Sequence, residues 1–178
     1  MVGILVTVLV GRPSPTGEER ADGGGGTQPS SGAESTPATT AGESAEAARV
    51  RYGPVVFDAD MINGGVDVEL DSTAPVVAAT LVKGSDLFIG ATTGSPTFDV
   101  PDGDLGLAPL PASGSAPTDR QCAEAVERNG TYNAQAPRGA RFCLMTDQGR
   151  TAYLRVVSAP PGGDLTKFEV TVWETPDA

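Results

Sequence analysis

The chain has 178 residues and carries 12 Lys and Arg against 23 Asp and Glu, a formal net charge of −11. That length holds one ordinary domain plus an appendage. The acidity sets it against phosphate backbones and anionic headgroups, which disfavours nucleic acid and peripheral membrane binding. There is no histidine, so Ser-His-Asp and Cys-His mechanisms are impossible within the chain, and two cysteines alone cannot make a zinc site.

Met1 to Val10 is an apolar run, too short to cross a bilayer, which needs about 20 apolar residues. It also lacks the positive n-region of a signal peptide. A buried strand, a signal remnant and the outer half of a transmembrane helix continuing upstream of Met1 all compete. The last is the expectation, a partial membrane anchor over residues 1–10. Residues 11–48 contain no Val, Ile, Leu, Met, Phe, Trp or Tyr. A Gly/Ser/Thr/Ala/Pro/Glu segment of this kind cannot bury enough apolar surface to offset its ordering entropy, and it reads as a disordered linker.

From Arg49 the texture changes, and residues 49–176 are expected to form a β-rich extracytoplasmic domain. Val50-Arg51-Tyr52 and Val55-Val56-Phe57 precede the turn Asn63-Gly64-Gly65. Val66–Asp71 then alternates strictly between apolar and acidic residues, the pattern of a half-buried strand. Val76–Val82 and Leu87-Phe88-Ile89 follow, and in the Gly- and Pro-rich stretch from Thr92 to Pro117 only Phe98-Asp99-Val100 is strand-like. Thr118-Asp119-Arg120-Gln121 is a capping-box signature and predicts one helix over about 118–129, with Cys122, Ala125 and Val126 on one face and Asn129-Gly130 at its end. Arg141–Thr146, Arg150–Val157 and Leu165–Glu174 complete seven or eight short strands. The expectation is a mainly β, antiparallel sandwich or barrel-like domain.

Cys122 and Cys143 stand 21 residues apart. Two free buried thiols suit a cytosolic protein, whereas a tethered layout outside the cell favours a structural disulfide. The segments Cys122–Val126, Asn129–Tyr132, Arg141–Leu144, Gly149–Val156 and Glu169–Glu174 resemble the C-terminal extracytoplasmic module of many actinomycete membrane proteins. Some of those proteins carry an intracellular serine/threonine kinase domain. The likeness covers about Tyr52 to Glu174. It implies a cysteine bridge and a sensor-like or wall-associated location outside the membrane, and it implies no catalytic residues. The kinase Gly-rich loop, H-R-D and D-F-G are all missing from this sequence.

The candidate sites are few. Asp99, Asp102 and Asp104 form a loop that offers oxygens to calcium but departs from EF-hand spacing, and a solvated turn is the favoured reading. Tyr153 and Trp173 fall on the outward face of the alternation, where aromatics stack on ligands; a second buried layer or the underside of the helix is the competing and preferred assignment. No cofactor is expected, and no pair of carboxylates is singled out as a glycosidase pair. The functional expectation is a non-catalytic binding or sensor-like module with an unknown cell-wall or extracellular ligand, the alternative being a structural wall-facing spacer.

Overall fold

The computed structural model describes residues 48–61, 64–92, 95–160 and 165–175. The expectations for residues 1–10, for 11–47 and for Asn63 lie outside the described residues. Among the described residues there are ten strands and one α-helix: β1 (Val50–Asp60), β2 (Val66–Glu69), β3 (Val76–Ala78), β4 (Leu87–Thr92), β5 (Ser95–Asp99), β6 (Leu107–Leu110), α1 (Asp119–Asn129), β7 (Asn133–Gln135), β8 (Arg141–Met145), β9 (Thr151–Ser158) and β10 (Leu165–Trp173). They build two five-stranded antiparallel sheets, ordered β1-β10-β9-β8-β6 and β3-β2-β4-β5-β7. The sheets stay separate and no barrel closes, so the mainly β sandwich expected from the alternation is the architecture found. Among the described residues no helix is long and apolar enough to cross a membrane.

The period-two patterns explain the layering. In β10, Phe168, Val170 and Val172 are fully buried on one face while Lys167 is exposed on the other. In β2, Val66 and Val68 point into the same core. Phe98 of β5 joins the sheets, its ring centroid 4.9 Å from Phe142 on β8 and 5.4 Å from Phe168 on β10. Fully burying one such side chain contributes about 2 kcal/mol.

The outer face of the first sheet is covered by α1. Its N-cap forms the reciprocal capping box, with Gln121 N donating to Thr118 Oγ1 at 3.3 Å and Thr118 N to Gln121 Oε1 at 2.9 Å. Cys122 and Val126 face down into a second cluster with Ala108, Cys143, Tyr153 and Trp173. Gly130 ends the helix where the chain runs hard against the loop before β6. A Cβ there would stand 2.2 Å from the Leu105 carbonyl oxygen, so no other residue fits without moving backbone.

Three strand expectations are corrected. β3 stops at Ala78 rather than Val82. β1 runs unbroken through Gly53-Pro54, absorbing the interruption as register shifts against β10. β6 and β7 were not anticipated at all. Both are edge strands, the place where a proline such as Pro109 is tolerated and where pairing needs little intrinsic β propensity.

Candidate functional site

A cleft of about 630 Å³ opens at the end of the sandwich where β8 passes into β9. Its walls come from the β3–β4 loop, the end of β5 with the 3-10 turn Pro101–Gly103, and the β8–β9 turn. Six carboxylates line it, those of Asp67, Asp86, Asp99, Asp102, Asp104 and Asp147, and no Lys or Arg does. Phe88, Val100 and Met145 add apolar wall, and Leu81, 93 % exposed, stands at the rim.

Asp99, Asp102 and Asp104 therefore share a cavity wall, but they do not converge as a calcium set. Asp99 Oδ1 accepts from Asn133 Nδ2, and Asp102 sits at φ 59 inside the tight turn. Among the described residues, the carboxylates whose oxygens gather within 4.8 Å of one another are instead Glu69, Asp71 and Asp86.

That second group backs the cleft, and most of its oxygens already have donors. Asp86, 3 % exposed, accepts from the backbone N–H of Leu70 at 2.7 Å and of Asp147 at 2.8 Å. Burial pushes its carboxyl up to about 7, the two N–H donors working the other way. Asp71 Oδ1 accepts from Thr146 Oγ1 at 2.9 Å and from Arg150 Nη1 at 2.8 Å. Burial opposes ionisation of Asp71, but hydrogen bonds from Arg150, Asp147 and Thr146 outweigh it and hold the carboxyl below its ordinary value. Asp147 is raised, first by the neighbouring Asp71 carboxyl and then by burial. Glu69 Oε1 accepts from Asp71 N at 2.6 Å.

Arg51 ties this network to the strand ends. It donates to both oxygens of Glu174 at 3.1 Å, to Asp71 O at 2.9 Å and to Ser72 O at 3.1 Å. Tyr52, whose hydroxyl donates to Leu70 O at 2.8 Å, is held above its ordinary value by burial and by the neighbouring Glu69, Asp86 and Asp71 charges. The cluster joins the two sheets behind the cleft.

Of the two assignments for the aromatics, the preferred one, beneath the helix, is found, and the ligand-facing one is not. Tyr153 is 6 % and Trp173 7 % exposed, both within the cluster beneath α1. The alternation placed them on the correct sheet face, but α1 covers that face, so neither ring is open to stack on a ligand. Cys122 and Cys143 are bonded to each other, tying α1 to β8, and no free cysteine occurs among the described residues. Sequence reasoning passed over Asp71, Asp86 and Arg150, because nothing local marks them. Arg141, a cation opening an otherwise buried strand, did carry a visible signal.

Fold and site together define a two-sheet sandwich with one stapled helix and an acidic terminal cleft. Comparison with known proteins returns no match, whether to a family model, a curated protein or a solved structure.

Proposed function

We propose that this chain is a non-catalytic extracytoplasmic module that binds a cationic ligand in its acidic cleft. The observation that carries the reading is the lining itself, six aspartates with apolar wall between them and, among the described residues, no Lys or Arg in the lining. Low-dielectric walls of one sign focus their field on the cavity and favour a ligand of the opposite sign. The neighbouring Phe88, Val100 and Met145 suit a ligand whose positive groups are carried on an aliphatic or peptide body.

A non-catalytic role fits the inventory. The sequence has no histidine, both cysteines are spent in a disulfide, and both Asp86 oxygens accept backbone N–H bonds. The disulfide suits an oxidising compartment. Kinship with the actinomycete extracytoplasmic module, and tethering to a membrane through residues 1–48, belong to the same proposal.

The test is calorimetric titration of the protein with tetralysine, tetraglutamate and calcium at low and physiological salt. Tetralysine is expected to bind saturably and more weakly as salt rises, while tetraglutamate does not bind. The D102N/D104N double variant should lose roughly tenfold in affinity, since asparagine keeps the turn geometry and removes two charges. If neither tetralysine nor calcium saturates the cleft, the binding reading fails and a wall-facing spacer takes its place.

A further inference from the structure

At the opposite end of the first sheet, where β8 begins and β9 ends, a second pocket of about 470 Å³ has the opposite character. Arg138, Arg141 and Arg155 all line it, with Glu169 as its one carboxylate among the described residues. Three guanidinium groups around one cavity are costly to assemble, and in a chain of net charge −11 they run against the general field.

Arg141 is the centre of the argument. It is 6 % exposed. Its Nε donates to Tyr153 Oη at 2.9 Å, its Nη1 to Pro111 O at 3.1 Å, and its Nη2 to Ser115 O. The last two bonds pin the loop between β6 and α1, the first ties the guanidinium to β9, and all three acceptors are neutral. Among the described residues no carboxylate pairs with this guanidinium. A buried charge without a counter-ion is destabilising, and a guanidinium has five N–H donors, of which these bonds use three.

The surroundings fit an incoming oxyanion. Tyr153 Oη accepts from Arg141, which leaves its own proton to donate to a ligand. Gly114 keeps the approach open, since a Cβ there would stand 3.3 Å from Arg141 Nη1. Arg138 is exposed in the turn before β8 and forms no ion pair among the described residues. Arg155 is already paired with Glu169 at 3.1 Å, so that wall is neutral and the positive field comes from the Arg138 and Arg141 side. Val156 and Val157 supply apolar wall beside it.

We propose that this pocket is an anion-binding site, in which Arg141, Arg138 and the Tyr153 hydroxyl hold the carboxylate, phosphate or sulfate group of a small ligand. The site is independent of the acidic cleft, and its test does not depend on what the cleft binds.

The experiment is an NMR titration of the full chain with inorganic phosphate, sulfate and acetate, at ionic strength fixed with sodium chloride. Saturable shifts are expected at the amides of Gly114, Gly139 and Arg141, and the tightest of the three anions assigns tetrahedral or planar recognition. Arg138→Gln, at an exposed position, should weaken binding roughly tenfold. Lys83→Gln, at the cleft end of the molecule, should leave it unchanged. Arg141→Lys keeps the charge but loses the fork, and should abolish saturation in a chain that still folds; if it does not fold, Arg138→Gln decides alone. Shifts that chloride reproduces, or an affinity that Arg138→Gln leaves unaltered, overturn the proposal.

Discussion

At Asp86 a carboxyl stands almost out of reach of water, and burial raises it from 3.8 to about 7. A group whose folded value is raised stabilises the fold below its unfolded value, and that contribution is lost as pH climbs from about 4 to about 7. Asp147, also raised, acts in the same direction. Asp71 is lowered, so its contribution is present above pH 4 and is lost on further acidification. The two trends cross. The melting temperature is therefore expected to peak near pH 4 to 5 and to fall toward neutrality. Asp86→Asn leaves one backbone N–H without its acceptor, costing about 1–3 kcal/mol, and should flatten the fall between pH 4 and pH 7. An unchanged slope in calorimetry of that variant would locate the titration elsewhere. Asp71 and Asp86 are not legible as special, because what sets them apart from the exposed aspartates is burial. Burial at a strand end is decided by the loop that folds over it.

Elements were legible where local chemistry and tertiary contacts agree. α1 begins and ends where its capping box and Gly130 place it, and the alternations of β2 and β10 mark which residues face the core. β6 and β7 escaped because Leu107-Ala108-Pro109-Leu110 and Asn133-Ala134-Gln135 owe their extended form to the strands beside them. α1 is a short helix that would be marginal alone, and it keeps its place through one apolar face and the bond to β8. Closing a loop of 21 residues contributes roughly 3 kcal/mol. Reduction, or the Cys122→Ser/Cys143→Ser variant, should lower the melting temperature by roughly 10 °C. The sheet signal in circular dichroism should survive at room temperature. A melting temperature unaffected by reductant would mean that packing alone holds the helix.

For the molecule as a whole, the sandwich was readable from alternation and the acidic cleft was not, since its walls come from segments as distant as Asp67 and Asp147. The pairing of β1 with β10 brings Val50 opposite Trp173, and Glu174 N donates to Arg49 O at 2.8 Å. The chain thus enters and leaves the domain side by side, at the end held by the Arg51–Glu174 pair. That placement has a mechanical meaning. Tension applied between Arg49 and Thr175 runs along the inter-strand hydrogen bonds, which lie across an antiparallel ladder, and it loads them one after another as a zipper is loaded. Tension applied between Asp60 and Thr175 runs along the strands and loads the whole ladder in shear. Single-molecule pulling should find a lower rupture force for the first attachment than for the second, and equal forces would show that another part of the sandwich yields first. A domain attached through only one of these neighbouring ends would hang free of such load, whereas one pulled from both would peel open beginning at the ion pair beside its own cleft.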